Sequence, residues 1–301
     1  MAECEPRDWL DARAARRAFE RAAALGAESF VAREIERRMG ERLDYILHAP
    51  SRIVEAGCGA GHGVALLRRR YPRAEIVALD HAAGMLRLAR GTRPLADRLR
   101  TFAGGGRTRF VQADLGAAAL RPGCCDMLWS NLALAWSPDP PAAIRGWGGA
   151  LASGALAMFT TFGPDTLREL AAAFRAADAG PHVHPFVDMH DIGDMLVAAG
   201  FGEPVIDMEV LTLTYESPER LLAELRAAGY GNAHTARRRS LMGATAWRRM
   251  IDAYMTSAAA GRVPATFEIV YGHAWKAAPR VAADGRAIVH FDGLGMTRKS
   301  A

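Results

Sequence analysis

The chain has 301 residues, 50% hydrophobic and 24% charged, with a net charge of +5. That length buries one large core, and no uninterrupted apolar run approaches the length of a membrane span, so a soluble single domain is expected. Acids at Glu3, Glu5, Asp8 and Asp11 argue against a transit peptide. The four cysteines, Cys4, Cys58, Cys124 and Cys125, have neither disulfide-framework nor zinc-motif spacing, which points to free thiols in a reducing cytoplasm.

In chain order, residues 9–48 read as two helices, with Ile35, Met39, Leu43, Ile46 and Leu47 at helical spacing and Pro50 as the stop. Residues 52–56 read as a strand, 62–70 as a helix, 75–80 as a strand and 82–90 as a helix. A glycine-containing connection (91–107) leads to strands over 108–112 and 126–130, a helix over 140–150 and a strand over 155–161. Such alternation across 50–161 predicts an α/β fold, a mostly parallel sheet with helices on both faces. The second half changes rhythm. Helices are expected over 166–177, 188–199, 218–228 and 236–257, with strands over 205–215 and 265–275. Those two strands suit an antiparallel pair at the sheet edge, and 163–187 and 217–262 become candidate lid segments over the 50–161 core.

Residues 53–63 read IVEAGCGAGHG. Gly57, Gly59 and Gly61 let the backbone turn tightly and approach a ligand, and a helix N-terminus follows. In a dinucleotide fingerprint the sixth position would be glycine; here it is His62, and Glu55 stands where a pyrophosphate would sit. A carboxylate there suits a cofactor with a cationic ammonium, such as S-adenosylmethionine. Asp80, ending the second strand, is placed to accept ribose hydroxyls, or else to cap the next helix. Asp114 and Leu115 after the third strand suit an adenine, and Asn131 after the fourth lines the same crevice. Cys58, His81 and Met85 complete the candidate cofactor set.

The strings 53–61, 78–86 and 126–136 (DMLWSNLALAW) resemble class I methyltransferases. With 158–170 (MFTTFGPDTLREL), 184–191 (HPFVDMHD) and 271–275 (YGHAW), the resemblance narrows to the malonyl-acyl-carrier-protein O-methyltransferases of biotin synthesis and covers about residues 15–276. A related mitochondrial assembly-factor arginine hydroxylase shares the C-terminal strings and stands as the alternative, beside a cofactor-binding protein without transfer activity. Residues 24–27 (ALGA) replace the Tyr-Asp many members carry.

The resemblance implies a Rossmann-like seven-stranded fold, S-adenosylmethionine as cofactor, and an acidic acyl carrier protein as partner. Trp136, Phe162, Arg168 and His184 become candidate substrate residues. A carboxylate is already ionised at pH 7, so no catalytic proton-transfer residue is required. The arginine runs 68–70, 237–239 and 248–249 would serve an acidic partner. His182, His184, Asp188, His190 and Asp191 could form a metal cluster, but a capped helix after a loop accounts for them, and no metal is assigned. Nucleic-acid methylation lacks a recognisable module: Asp139-Pro140-Pro141 is followed by Ala142 instead of the aromatic that would stack on a flipped base.

Overall fold

In the computed structural model, residues 9–92, 105–115 and 120–278 are described. Seven strands form one sheet: β1 (Arg52–Ala56), β2 (Glu75–Asp80), β3 (Thr108–Gln112), β4 (Cys125–Ser130), β5 (Leu151–Phe162), β6 (Phe201–Tyr215) and β7 (Val263–Lys276). Their order is β3-β2-β1-β4-β5-β7-β6. The first five pair in parallel. β7 runs antiparallel to both β5 and β6.

The helices are α1 (Ala12–Ala24), α2 (Phe30–Arg42), α3 (His62–Arg70), α4 (Ala83–Gly91), α5 (Pro140–Ala150), α6 (Arg168–Ala177), α7 (Met189–Ala198), α8 (Pro218–Ala228) and α9 (Ala244–Met255). Residue alternation along the strands divides the core. Ile53, Met127, Trp129 and Met158 pack on one face with Ile35 and Met39 of α2, Leu67 of α3, Leu170 of α6, Leu225 of α8 and Tyr254 of α9. On the other face Val54, Leu128, Ala157 and Phe159 meet Ile144 and Trp147 of α5 and Ile192 and Leu196 of α7.

The largest departures from the sequence expectation fall at four boundaries. α2 ends at Arg42, where a 3-10 turn over Leu43–Tyr45 takes over well before Pro50. β5 starts at Leu151, because Gly154, at φ +75°, carries the chain through an irregular stretch matched by a register shift between Cys125 and Met127. β6 starts at Phe201, and Pro204, which cannot donate to the ladder, falls inside a bulge between Gly202 and Val205. α9 begins only at Ala244, after Gly243, so residues 236–243 are irregular.

Much of the arginine surface is already committed. Arg68 is buried and donates to the carbonyls of Ala74 and Arg107, tying β2 to β3. Arg70 bonds Asp44. Arg237 bonds Asp11, and Arg238 bonds Asp178. Arg69, Arg239 and Arg248 are exposed. Cys58 and Cys125 are buried and Cys124 is half-buried, all as free thiols.

Candidate active site

The carboxyl ends of β1, β2 and β4 converge on the glycine turn. Gly57, Gly59 and Gly61 all take positive φ, at +81°, +50° and +89°. The N–H groups of Gly57 and Cys58 donate to the Leu79 carbonyl at 2.9 and 2.8 Å, stitching the turn to β2. A cavity of about 900 Å³, counted out to its mouth, opens above it. Gly57, Cys58, Gly59, Asp80, His81, Met85, Leu115 and Asn131 line this cavity, as the sequence suggested. Three expected residues stand differently. Gly61 lies behind the wall against Ala89. Asp114 is exposed, and its neighbours Ala113 and Leu115 form the lining instead. Glu55 is buried beneath the turn.

Asp80 accepts from the Gly59 N–H at 2.9 Å and from the Ala82 N–H at 2.8 Å. It therefore orders the turn and the approach to α4 while still bordering the cavity. Burial pushes its carboxyl up, against the pull of those two donors. The true cap of α4 comes from elsewhere: Glu20 of α1 accepts from Ala83 and Gly84 N–H at 2.7 and 2.9 Å. Asn131 is committed to the frame, donating to the Ala32 carbonyl and accepting from Thr160 Oγ1. Burial pushes the Cys58 thiol well up, so it stays protonated and inert.

Two buried carboxyls lie side by side under the cavity. Glu55 Oε1 and Glu36 Oε1 both fall within 2.8 Å of the point where a Cβ on Gly63 would stand. Trp129 Nε1 donates to Glu36. Glu55 Oε2 has no hydrogen-bond partner. Burial pushes both carboxyls up, and the neighbouring Glu36 adds to the rise of Glu55.

A second cavity adjoins the first through Trp136 and Tyr230, which line both. Phe162, Leu170, Phe174, Phe186 and Phe267 also wall it. Trp136 packs edge-on to Phe19 and His184, with centroids 5.2 and 4.8 Å away, and stacks on Tyr230 at 5.5 Å. His184 is 4% exposed, and its Nε2 has no partner. Arg168 points outward, paired with Asp165 at 3.0 Å, and borders an outer groove with Arg175, His234 and His184. His182 bonds Asp178 and stacks on Phe174, whereas His190 bonds Asp188 in solvent. These histidines thus diverge, and among the described residues no group of three ligands could hold a metal.

Sequence reasoning missed Glu36, Glu20, Phe19 and Tyr230. For Glu36 a signal existed: with Met39, Gly40 and Leu43 it lies on the i, i+3, i+4, i+7 stripe of α2, a charge on a buried face.

Burial lowers the His184 pKa to about 4, so the ring is neutral at pH 7. Unfolding frees it to take a proton near pH 6.5. Its share of stability is therefore present above about pH 6.5 and is lost as pH falls towards 4, up to about 3 kcal/mol. We expect His184→Phe to flatten the acid limb of thermal stability measured between those pH values. An unchanged limb would refute this.

The fold and the acid-flanked glycine cleft define a class I methyltransferase, and residues 54–159 match the methyltransferase domain family. The YcgJ protein of Bacillus subtilis shares the fold, with a TM-score of 0.56 at 12% identity over 81% of this chain and 99% of that one. A candidate methyltransferase of Bacillus halodurans does so at the same TM-score and 15% identity, over the same shares of each chain. The chain belongs to the malonyl-[acyl-carrier protein] O-methyltransferase family. It is 46% identical to the member from Gallionella capsiferriformans across 93% of this chain and 96% of that one. Against the Nitrosospira multiformis member it is 46% identical across 91% and 92%, and against that of Laribacter hongkongensis 45% across 94% and 96%.

Proposed function

We propose that the protein uses S-adenosylmethionine to methylate the free carboxylate of malonyl-acyl carrier protein. The observation that carries this reading is the second cavity: apolar, aromatic-walled, and joined to the cofactor cleft at Trp136 and Tyr230. The cleft's chemistry fits the cofactor. It offers buried carboxyls for an ammonium, Asp80 for ribose hydroxyls, and Met85, Ala113 and Leu115 for an apolar ring. When bound, S-adenosylmethionine supplies an electrophilic methyl group on a sulfonium.

The protein's part is positioning and exclusion of water. Trp136 and Tyr230 form the shared wall across which acceptor and donor must meet. Burial keeps the Tyr230 phenol protonated, raised to about 12. His184 Nε2 is an open hydrogen-bonding atom inside the acceptor cavity and suits the malonyl carboxylate. The segments 163–187 and 217–262 roof this cavity and act as its lid. Arg175, His234 and Arg168 at the outer groove, with Arg239 and Arg248 beyond, suit the approach of an acidic carrier protein. A cytoplasmic setting follows from that substrate.

Incubation with labelled S-adenosylmethionine and malonyl-carrier protein should yield a labelled methyl ester. Cofactor binding without ester formation would overturn the reading. Asp80→Ala should weaken cofactor binding at least tenfold in calorimetry. Asp139→Ala removes only the cap of α5, whose Oδ1 accepts from Ala142 N–H at 2.8 Å, so it should cost about 1 kcal/mol of stability and leave binding unchanged. Equal binding losses in both would sink this site map.

A further inference from the structure

We propose that Glu36 of α2, and not Glu55 at the end of β1, is the carboxyl that directly receives the cofactor's ammonium. This rests on the S-adenosylmethionine reading above. Glu36 lines the cleft, whereas Glu55 stands behind it, under Gly63. Glu36 is also the member of the pair held in a fixed direction, by the Trp129 Nε1 donor. Glu55 leaves Oε2 buried without a partner.

Two carboxylates this close cannot both stay ionised in a buried site without a cation. Among the described residues neither has a Lys or Arg partner. The other titratable groups nearby do not supply the charge. Asp80 on β2 adds further negative potential to Glu55. Cys58 in the turn is a protonated thiol. His62, opening α3, is held neutral by its burial and by Arg33 of α2. The empty pair therefore retains a proton near neutrality. An arriving ammonium supplies the missing positive charge, Glu36 ionises, and the proton leaves to solvent through the open cleft. Glu55 is then the like-charged neighbour whose repulsion sets the pH at which this exchange occurs.

The test uses S-adenosylhomocysteine, which carries the ammonium without the reactive methyl, and methylthioadenosine, which lacks the amino-acid end. Calorimetry of the full chain in buffers of differing ionisation enthalpy should show about one proton released with the first ligand and none with the second. The Kd for S-adenosylhomocysteine should rise as pH falls from about 8 to about 6, approaching tenfold per unit. Glu36→Gln should weaken S-adenosylhomocysteine roughly 10- to 100-fold, leave methylthioadenosine unchanged, and abolish proton release. Glu55→Gln should keep affinity within about threefold and shift the pH response downwards, because the like-charged neighbour is gone.

A Glu36→Gln effect within twofold, equal weakening of both ligands, no proton release by the wild type, or a larger loss from Glu55→Gln would each overturn the assignment. The proton count needs no variant, so misfolding of Glu36→Gln leaves the question decidable. If the wild type binds neither ligand, the cofactor reading itself falls and takes this inference with it.

Discussion

Gly57→Ala should remove cofactor binding and destabilise the protein strongly, whereas Gly59→Ala should remove binding at a smaller cost in stability. Both positions are left-handed, which costs a residue with a Cβ about 1–2 kcal/mol. Their surroundings differ. A Cβ on Gly57 would overlap the Ala133 methyl. Ala133 opens the 3-10 turn Ala133–Trp136, whose preceding residue, Leu132, is fixed by hydrogen bonds from its N–H to Thr160 Oγ1 and O at 3.0 and 3.1 Å. That turn cannot retreat without breaking the β4–β5 junction, so overpacking adds another 1–3 kcal/mol or so. A total near 3 kcal/mol corresponds to a Tm lower by about 6–12 °C. A Cβ on Gly59 meets nothing within 4 Å and would project into the space the ligand needs. Melting curves and S-adenosylhomocysteine titrations of the two variants separate these effects. Equal Tm losses, or tight binding by either, would contradict this account.

Trp136→Ala should have the second large effect. The indole is 6% exposed and held by Phe19, His184 and Tyr230. Its removal merges the cofactor cleft with the acceptor cavity and costs about 3–5 kcal/mol of stability. Methyl transfer should fall at least 100-fold, because the wall that aligns acceptor and donor is gone and water enters. Cofactor affinity should change less than tenfold, since the glycine turn and Asp80, the proposed cofactor contacts, are untouched. Trp136→Phe should recover most stability and part of the rate. Parallel loss of binding and transfer would mean that Trp136 belongs to the cofactor site alone.

The cofactor half was legible from the sequence because its signals are local. The glycine turn, the acid before it and the strand ends at Asp80 and Asn131 each lie within one strand–turn–helix unit. β1, α3 and β3 follow the expected bounds, and the antiparallel pair appears as anticipated. Residues that act across the fold were not legible. Glu20 caps a helix over sixty positions later, and Tyr230 reaches the cleft from the far side of the sheet's second half. Glu36 lies on the buried stripe of α2, but which carboxyl and which cleft it would meet there is set by tertiary packing. Arg168 lay in a specific string, yet its carboxylate partners are the nearby Asp165 and Glu169, and it turns outward. His184 was named as a candidate, but its packing among Trp9, Trp136 and Phe186 could only come from tertiary structure.

The insertion of β7 between β5 and β6 also has a consequence during synthesis. β5 is buried along Ala155–Phe162, yet its free edge finds no partner until residues 263–276 emerge from the ribosome. At ordinary translation speed that interval is on the order of ten seconds. A nascent chain therefore carries an apolar, unpaired strand edge for longer than collapse takes, and β6 has no docking place until the same moment. Demand for chaperone protection should peak over this window and end abruptly when β7 closes the sheet.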